Sequence, residues 1–178
     1  MISTTGARAT PHRARFAWWI GALFLLVVNL PGLMIGWREE LFPGFLVPPL
    51  RPPGFVFPIV WMFLNICTIW AGLRILNAAA LPRRSLHIGL QTAFWLDFLV
   101  FPAAFFGASS PILGGLLTLL IFALALAEVL LLWRHDRQSA WLMVPLTCWG
   151  AFAGLYLSIW QALYNPDPFF GVAALVGR

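Results

Sequence analysis

Three stretches of this chain, Phe16 to Trp37, Pro52 to Leu73 and Phe98 to Ala127, carry no charged side chain at all. Each is long enough to cross a hydrocarbon core of about 30 Å, which takes about 20 helical residues. The rest of the sequence agrees: 61% of the 178 residues are hydrophobic and 10% charged, against roughly 25% charged in soluble domains. There is too little polar surface to cover a globule, so the chain reads as a polytopic membrane protein. The apolar blocks are continuous and do not alternate with a period of two, which argues for helices and against a membrane β-barrel.

Five spans are expected, at roughly 16–36, 55–77, 87–106, 111–133 and 140–163. Arg38-Glu39-Glu40 and a proline-rich loop separate the first two, and Leu81-Pro82-Arg83-Arg84 the next pair. Gly107 to Pro111 and Arg134 to Arg137 make the last two breaks. Short connections force antiparallel neighbours, so the fold class is all-α, a five-helix transmembrane bundle over 16–166. A polar N-terminal tail, 1–15, precedes it and a C-terminal tail, 167–178, follows. The first apolar segment is too long for a secretory h-region and no small-residue cleavage site follows it, so it reads as a retained helix.

All eleven basic residues are arginine. With five spans, eight of them (Arg8, Arg13, Arg15, Arg74, Arg83, Arg84, Arg134, Arg137) share one side, and Arg38, Arg51 and Arg178 the other. The basic excess is thus a topology signal and not a nucleic-acid footprint. It places the N-terminus in the cytoplasm and the proline loop and C-terminus outside, in a cell inner membrane. Cys67 and Cys148 both fall inside spans, which speaks against a disulfide framework or a thiolate metal site.

Ionisable groups inside a membrane are expensive and each needs a reason. Asp97 and Glu128 lie within spans and read either as an acid–base pair on a cavity or as single carboxyls bonded to a neighbouring helix. His87 begins the third span and reads as an interfacial polar residue. No histidine pair has the spacing of a helical metal site, and no metal site or catalytic residue is expected. Trp61, Trp70, Trp95 and Trp149 lie deep in spans, where they serve helix packing or lipid contact, or line a site for a flat ligand. Gly150 and Gly154, four apart, allow close helix approach within the bundle or across a dimer interface.

The loop decides between the aromatic readings. Prolines at 48, 49, 52, 53 and 58 each fix φ and remove a donor, so Pro48 to Trp61 forms a stiff collar able to cap a cavity. The run PPLRPPGFVFPIVWMFLN resembles the first loop and second helix of the TspO/MBR family, the translocator or tryptophan-rich sensory proteins. Pro48, Pro52, Pro53, Phe57, Val60, Trp61 and Leu64 fall on the family pattern. Ala140, Pro145, Trp149, Phe152 and Ala153 do so in the fifth span. Val47, Leu50, Asn65, Leu146 and the Tyr156-Leu157 pair depart from it, and Asp97 to Phe106 meets the third-helix pattern only with one inserted residue.

The resemblance implies a membrane protein that binds a flat hydrophobic molecule (porphyrin, sterol or isoprenoid-like) under the first loop, with a transport, sensory or regulatory role. The implied site is Pro48, Arg51, Phe57, Trp61, Asn65, Trp95, Trp149 and Ala153. It requires no cofactor, and a bound tetrapyrrole or other apolar ligand is the implied occupant. Expected partners are that small molecule or lipid, the membrane, and a second copy or a larger membrane complex, with no nucleic acid. An accessory structural subunit is the alternative. Porphyrin breakdown in the family is associated with a loop tryptophan, and Leu50 stands there.

Overall fold

The computed structural model describes residues 16–35 and 44–176. The charged turn Arg38 to Glu40 and the N-terminal tail lie outside the described residues. Five helices follow one another: α1 (Trp18–Ile35), α2 (Val56–Asn77), α3 (Arg84–Pro102, widening into a π turn over Ala103–Gly107), α4 (Pro111–Leu132) and α5 (Arg137–Tyr164, π-helical over Ala151–Ser158). α2 and α4, with 22 residues each, rise about 33 Å, which matches a hydrocarbon core. The helices α2 to α5 are each long and apolar enough to cross a membrane. Every boundary lies within three residues of its expected position.

Local chemistry sets the ends. Asp136 caps α5, accepting from the Ser139 N–H at 3.3 Å, so the polar run Arg137 to Ser139 is the first helical turn and not loop. Ser110 caps α4 by accepting from the Leu113 N–H, and Pro111 follows at the position where a missing donor costs nothing. At the end of α2, the Arg84 guanidinium donates to the Ile75 and Leu76 carbonyls at 3.2 and 2.6 Å, satisfying groups the helix leaves open.

Around the bundle the order is α1, α2, α5, α4, α3, with α3 returning to α1. The α4–α5 pairing is the most extensive. Gly150 and Gly154 explain it: a Cβ at Gly150 would stand 3.1 Å from the Phe122 backbone, and one at Gly154 3.3 Å from the Thr118 carbonyl. The glycine patch is therefore used inside the bundle. The core joins Leu64, Ala71, Phe94, Ile121, Ala125, Met143 and Leu146. A second aliphatic cluster, Ile75, Leu132 and Ala140, closes the arginine-bearing end.

The π turn at Ala103–Gly107 has a sequence counterpart. It falls within the stretch that meets the third-helix pattern only with one extra residue, and a π turn is how a helix accommodates one. The C-terminal stretch doubles back: Asp167 and Val172 exchange backbone hydrogen bonds, and the Val176 N–H donates to the Leu163 carbonyl.

Candidate functional site

Beneath the proline loop lies a cavity of about 440 Å³ to which all five helices contribute. Its lid is Phe45 to Pro48 with Arg51. Turns fix the lid locally, with the Arg51 N–H bonded to the Pro48 carbonyl and the Val56 N–H to that of Pro53. Tyr156 of α5 and Asn165, the residue that ends this helix, hold it. Asn165 accepts from the Leu46 N–H and donates back to the Leu46 carbonyl, and the Tyr156 hydroxyl accepts from the Leu50 N–H at 3.4 Å. The collar is thus latched to the last helix, more than 100 residues away in sequence.

The walls are rings. Phe57 stands edge-on to Trp149 at 5.7 Å, and Trp61 leans on Phe98 at 5.2 Å. Phe101 and Phe105, stacked at 5.4 Å, extend the wall along α3. Edge-to-face and offset pairs at these separations are the favoured aromatic geometries and hold the rings in place. The polar lining is sparse: Asn29, Thr118, Ser158 and Gln161, with Arg51 at the mouth. The Arg51 guanidinium sits 5.8 Å above the Phe57 ring, and among the described residues no carboxylate pairs with it. A cation over a ring face is modestly stabilised and stays available to an incoming anion.

Of the eight residues singled out from sequence, Pro48, Arg51, Phe57, Trp61, Trp149 and Ala153 line this cavity. Asn65 and Trp95 stand behind it. Asn65 is fully buried and donates to Asn29 Oδ1 at 3.2 Å, so its amide braces a residue of the lining. Trp95 packs among Phe24, Phe94 and Phe98. Asn29, Phe98, Phe101 and Gln161 were not singled out. An i, i+3 aromatic pair at 98 and 101 is a helical-face signal that was present to be read. Trp70 points outward, 61% exposed, into an open groove between α1 and α2.

The two intramembrane carboxyls do not come together. Asp97 is buried, and neither of its oxygens has a hydrogen-bond partner among the described residues. Glu128 faces His87, with Oε1 3.2 Å from Nδ1. His87 lies ten residues before Asp97 on α3, a rise of about 15 Å. His87 lies in the first turn of α3, where its side chain is 1% exposed and turned toward Glu128 of α4.

Outside the spans, two aspartates tie elements together. Burial alone would raise the Asp167 carboxyl, yet donors from Ser110 and from the Ile112, Phe170 and Phe169 backbones hold it below the ordinary range. The Ser110 hydroxyl donates at 2.7 Å and the Ile112 N–H at 2.9 Å. Asp136 behaves likewise: burial pushes up, while Ser139 and the Arg74 guanidinium at 2.8 Å bring it down further. Among the described residues no cluster of three or more metal-ligating side chains occurs.

Comparison with known proteins meets this geometry. The model of the TspO/MBR family matches residues 19–161. The tryptophan-rich protein TspO of Chlorobaculum tepidum is 28% identical over 122 residues, covering 67% of this chain and 75% of that protein. Protein CrtK of Rhodobacter capsulatus is 30% identical over 120 residues, covering 64% of this chain and 72% of its own. A five-helix membrane bundle, a proline loop latched over an aromatic cavity and a family match across most of the chain together show that this protein belongs to the TspO/MBR family.

Proposed function

We propose that the cavity under the first loop binds a flat hydrophobic molecule, of porphyrin, sterol or isoprenoid-like character, in a transport, sensory or regulatory role. The observation that carries the reading is the lid itself. A loop latched by Asn165 and Tyr156 over converging aromatic rings covers a cavity of about 440 Å³, within the roughly 300–1,000 Å³ of small-molecule pockets. Binding draws on apolar area removed from water, about 25 cal/mol per Å². Arg51 at the mouth and the Asn29 and Gln161 amides orient whatever polar groups the ligand carries. The arginine bias supports a cytoplasmic N-terminus with the lid outside an inner membrane.

Ten tryptophans make the test direct, since Trp61 and Trp149 stand in the cavity wall. Titration of the protein in lipid nanodiscs with a porphyrin, and separately with a sterol, quenches tryptophan emission with saturation for the ligand that fits. Trp61→Ala weakens that saturation. If no ligand saturates and Trp61→Ala leaves every response unchanged, the cavity is not a ligand site.

A further inference from the structure

A second polar site lies deeper, toward the arginine-bearing end. His87 and Gln91 are one helical turn apart on α3, and Glu128 reaches them from α4. All three are more than nine-tenths buried. Gln91 spans toward α5, its amide nitrogen 3.5 Å from Met143 Sδ, and its carbonyl faces Gly72 of α2. Glu128 Oε2 and Gln91 Oε1 have no hydrogen-bond partner among the described residues.

We infer that His87, Gln91 and Glu128 form a proton-binding site inside the membrane, with the proton carried on Glu128 Oε1 and donated to His87 Nδ1. The imidazole then keeps its own proton on Nε2, and both partners are neutral. Two opposite charges at this depth would each lose their hydration, while a neutral acid donating to a neutral ring keeps the short contact without that loss. The charged groups on neighbouring elements are committed elsewhere or face outward. Arg74 is paired with Asp136, Arg84 caps α2, and Arg83, Arg134, His135 and Arg137 are exposed. Cys67 of α2 is a buried thiol. No cation on the described residues thus compensates an ionised Glu128 except His87 itself.

The site differs from Asp97, whose oxygens meet no hydrogen-bond partner among the described residues. It also touches the core that supports the cavity: Met143, which Gln91 reaches, packs in one cluster with Ile121 and Trp149 of the cavity wall.

Magnetic-resonance spectroscopy of the intact protein in bilayers, labelled with ¹⁵N-histidine and ¹³C-glutamate, tests the assignment between about pH 5 and 8. One histidine of three stays neutral throughout, its Nδ1 unprotonated and hydrogen-bonded. One glutamate shows a protonated carboxyl across the range, a signal that Glu128→Gln removes and Asp97→Asn retains. The wild-type spectra decide even if Glu128→Gln fails to fold. The assignment is overturned if His87 is doubly protonated beside an ionised Glu128 anywhere in the range, or if every glutamate is ionised in its upper half.

Discussion

The two ends of the bundle are built from different materials. At the arginine-bearing end, helices are drawn together: Arg74 of α2 binds both Asp136 and Ser139 at the start of α5, Arg84 of α3 covers the end of α2, and Ile75, Leu132 and Ala140 fill the space between. At the lid end, rings of α2, α3 and α5 line an open space beside the close α4–α5 contact, and closure falls to a loop and a tail. Asp167 of the tail binds the α3–α4 turn, while Asn165 and Tyr156 bind the collar. Close packing fills the space between α2, α4 and α5 at one end, where a groove opens between α1 and α2 on the outer surface. Aromatic lining plus polar latches leaves a covered cavity.

If that division is correct, substitutions at the two ends separate stability from binding. The largest effect is expected for Asp167→Ala, which strands the buried Ser110 hydroxyl and the part-buried Ile112 and Phe170 N–H donors. A cost of about 3 kcal/mol follows from losing several charge-assisted bonds, read as thermal stability in detergent, together with weaker ligand binding. Asp136→Ala removes the α5 cap and the Arg74 pair, costing about 2 kcal/mol, but leaves affinity for the collar cavity unchanged because Asp136 is not part of its lining. Equal loss of affinity in both variants would erase the distinction between the ends.

Both aspartates also predict a pH dependence. Their folded-state carboxyls titrate below the ordinary range, so in that window the unfolded chain binds more protons. The stabilisation is present above the ordinary carboxylate range and is lost as pH falls through the lowered values, between about pH 5 and 2. Unfolding midpoints measured down that range should drop, and drop less in Asp167→Ala.

Smaller effects sharpen the lid. Trp61→Ala is expected to lower affinity about tenfold, or about 1.4 kcal/mol, by opening the wall between Phe57 and Phe98. Tyr156→Phe removes the long Leu50 contact and costs about 0.5 kcal/mol, seen as slightly faster ligand dissociation with unchanged folding.

The sequence made the bundle readable because uncharged blocks of membrane length have one solution in lipid, a helix with its backbone bonds satisfied internally. The collar was readable because prolines act locally. What stayed hidden depends on which helix a side chain meets. Asn65 stood out as a departure from the family pattern, yet its partner is Asn29 on another helix, and nothing in either local stretch announces that pairing. His87 and Glu128 are 41 residues apart and meet only once α3 and α4 are packed. Asp167 sits in an ordinary polar turn, Asn165 to Pro168, whose role appears only when it folds back on Ser110. Gly150 and Gly154 signalled close approach without saying to what, and α4 is the answer.

The most direct measurement is a structure of the protein with a porphyrin bound at saturation. The account predicts the macrocycle under the collar, between Trp61, Phe98 and Trp149, with an anionic edge toward Arg51. A macrocycle found only in the open groove between α1 and α2, beside Trp70, with the space under the collar filled by protein, would contradict it.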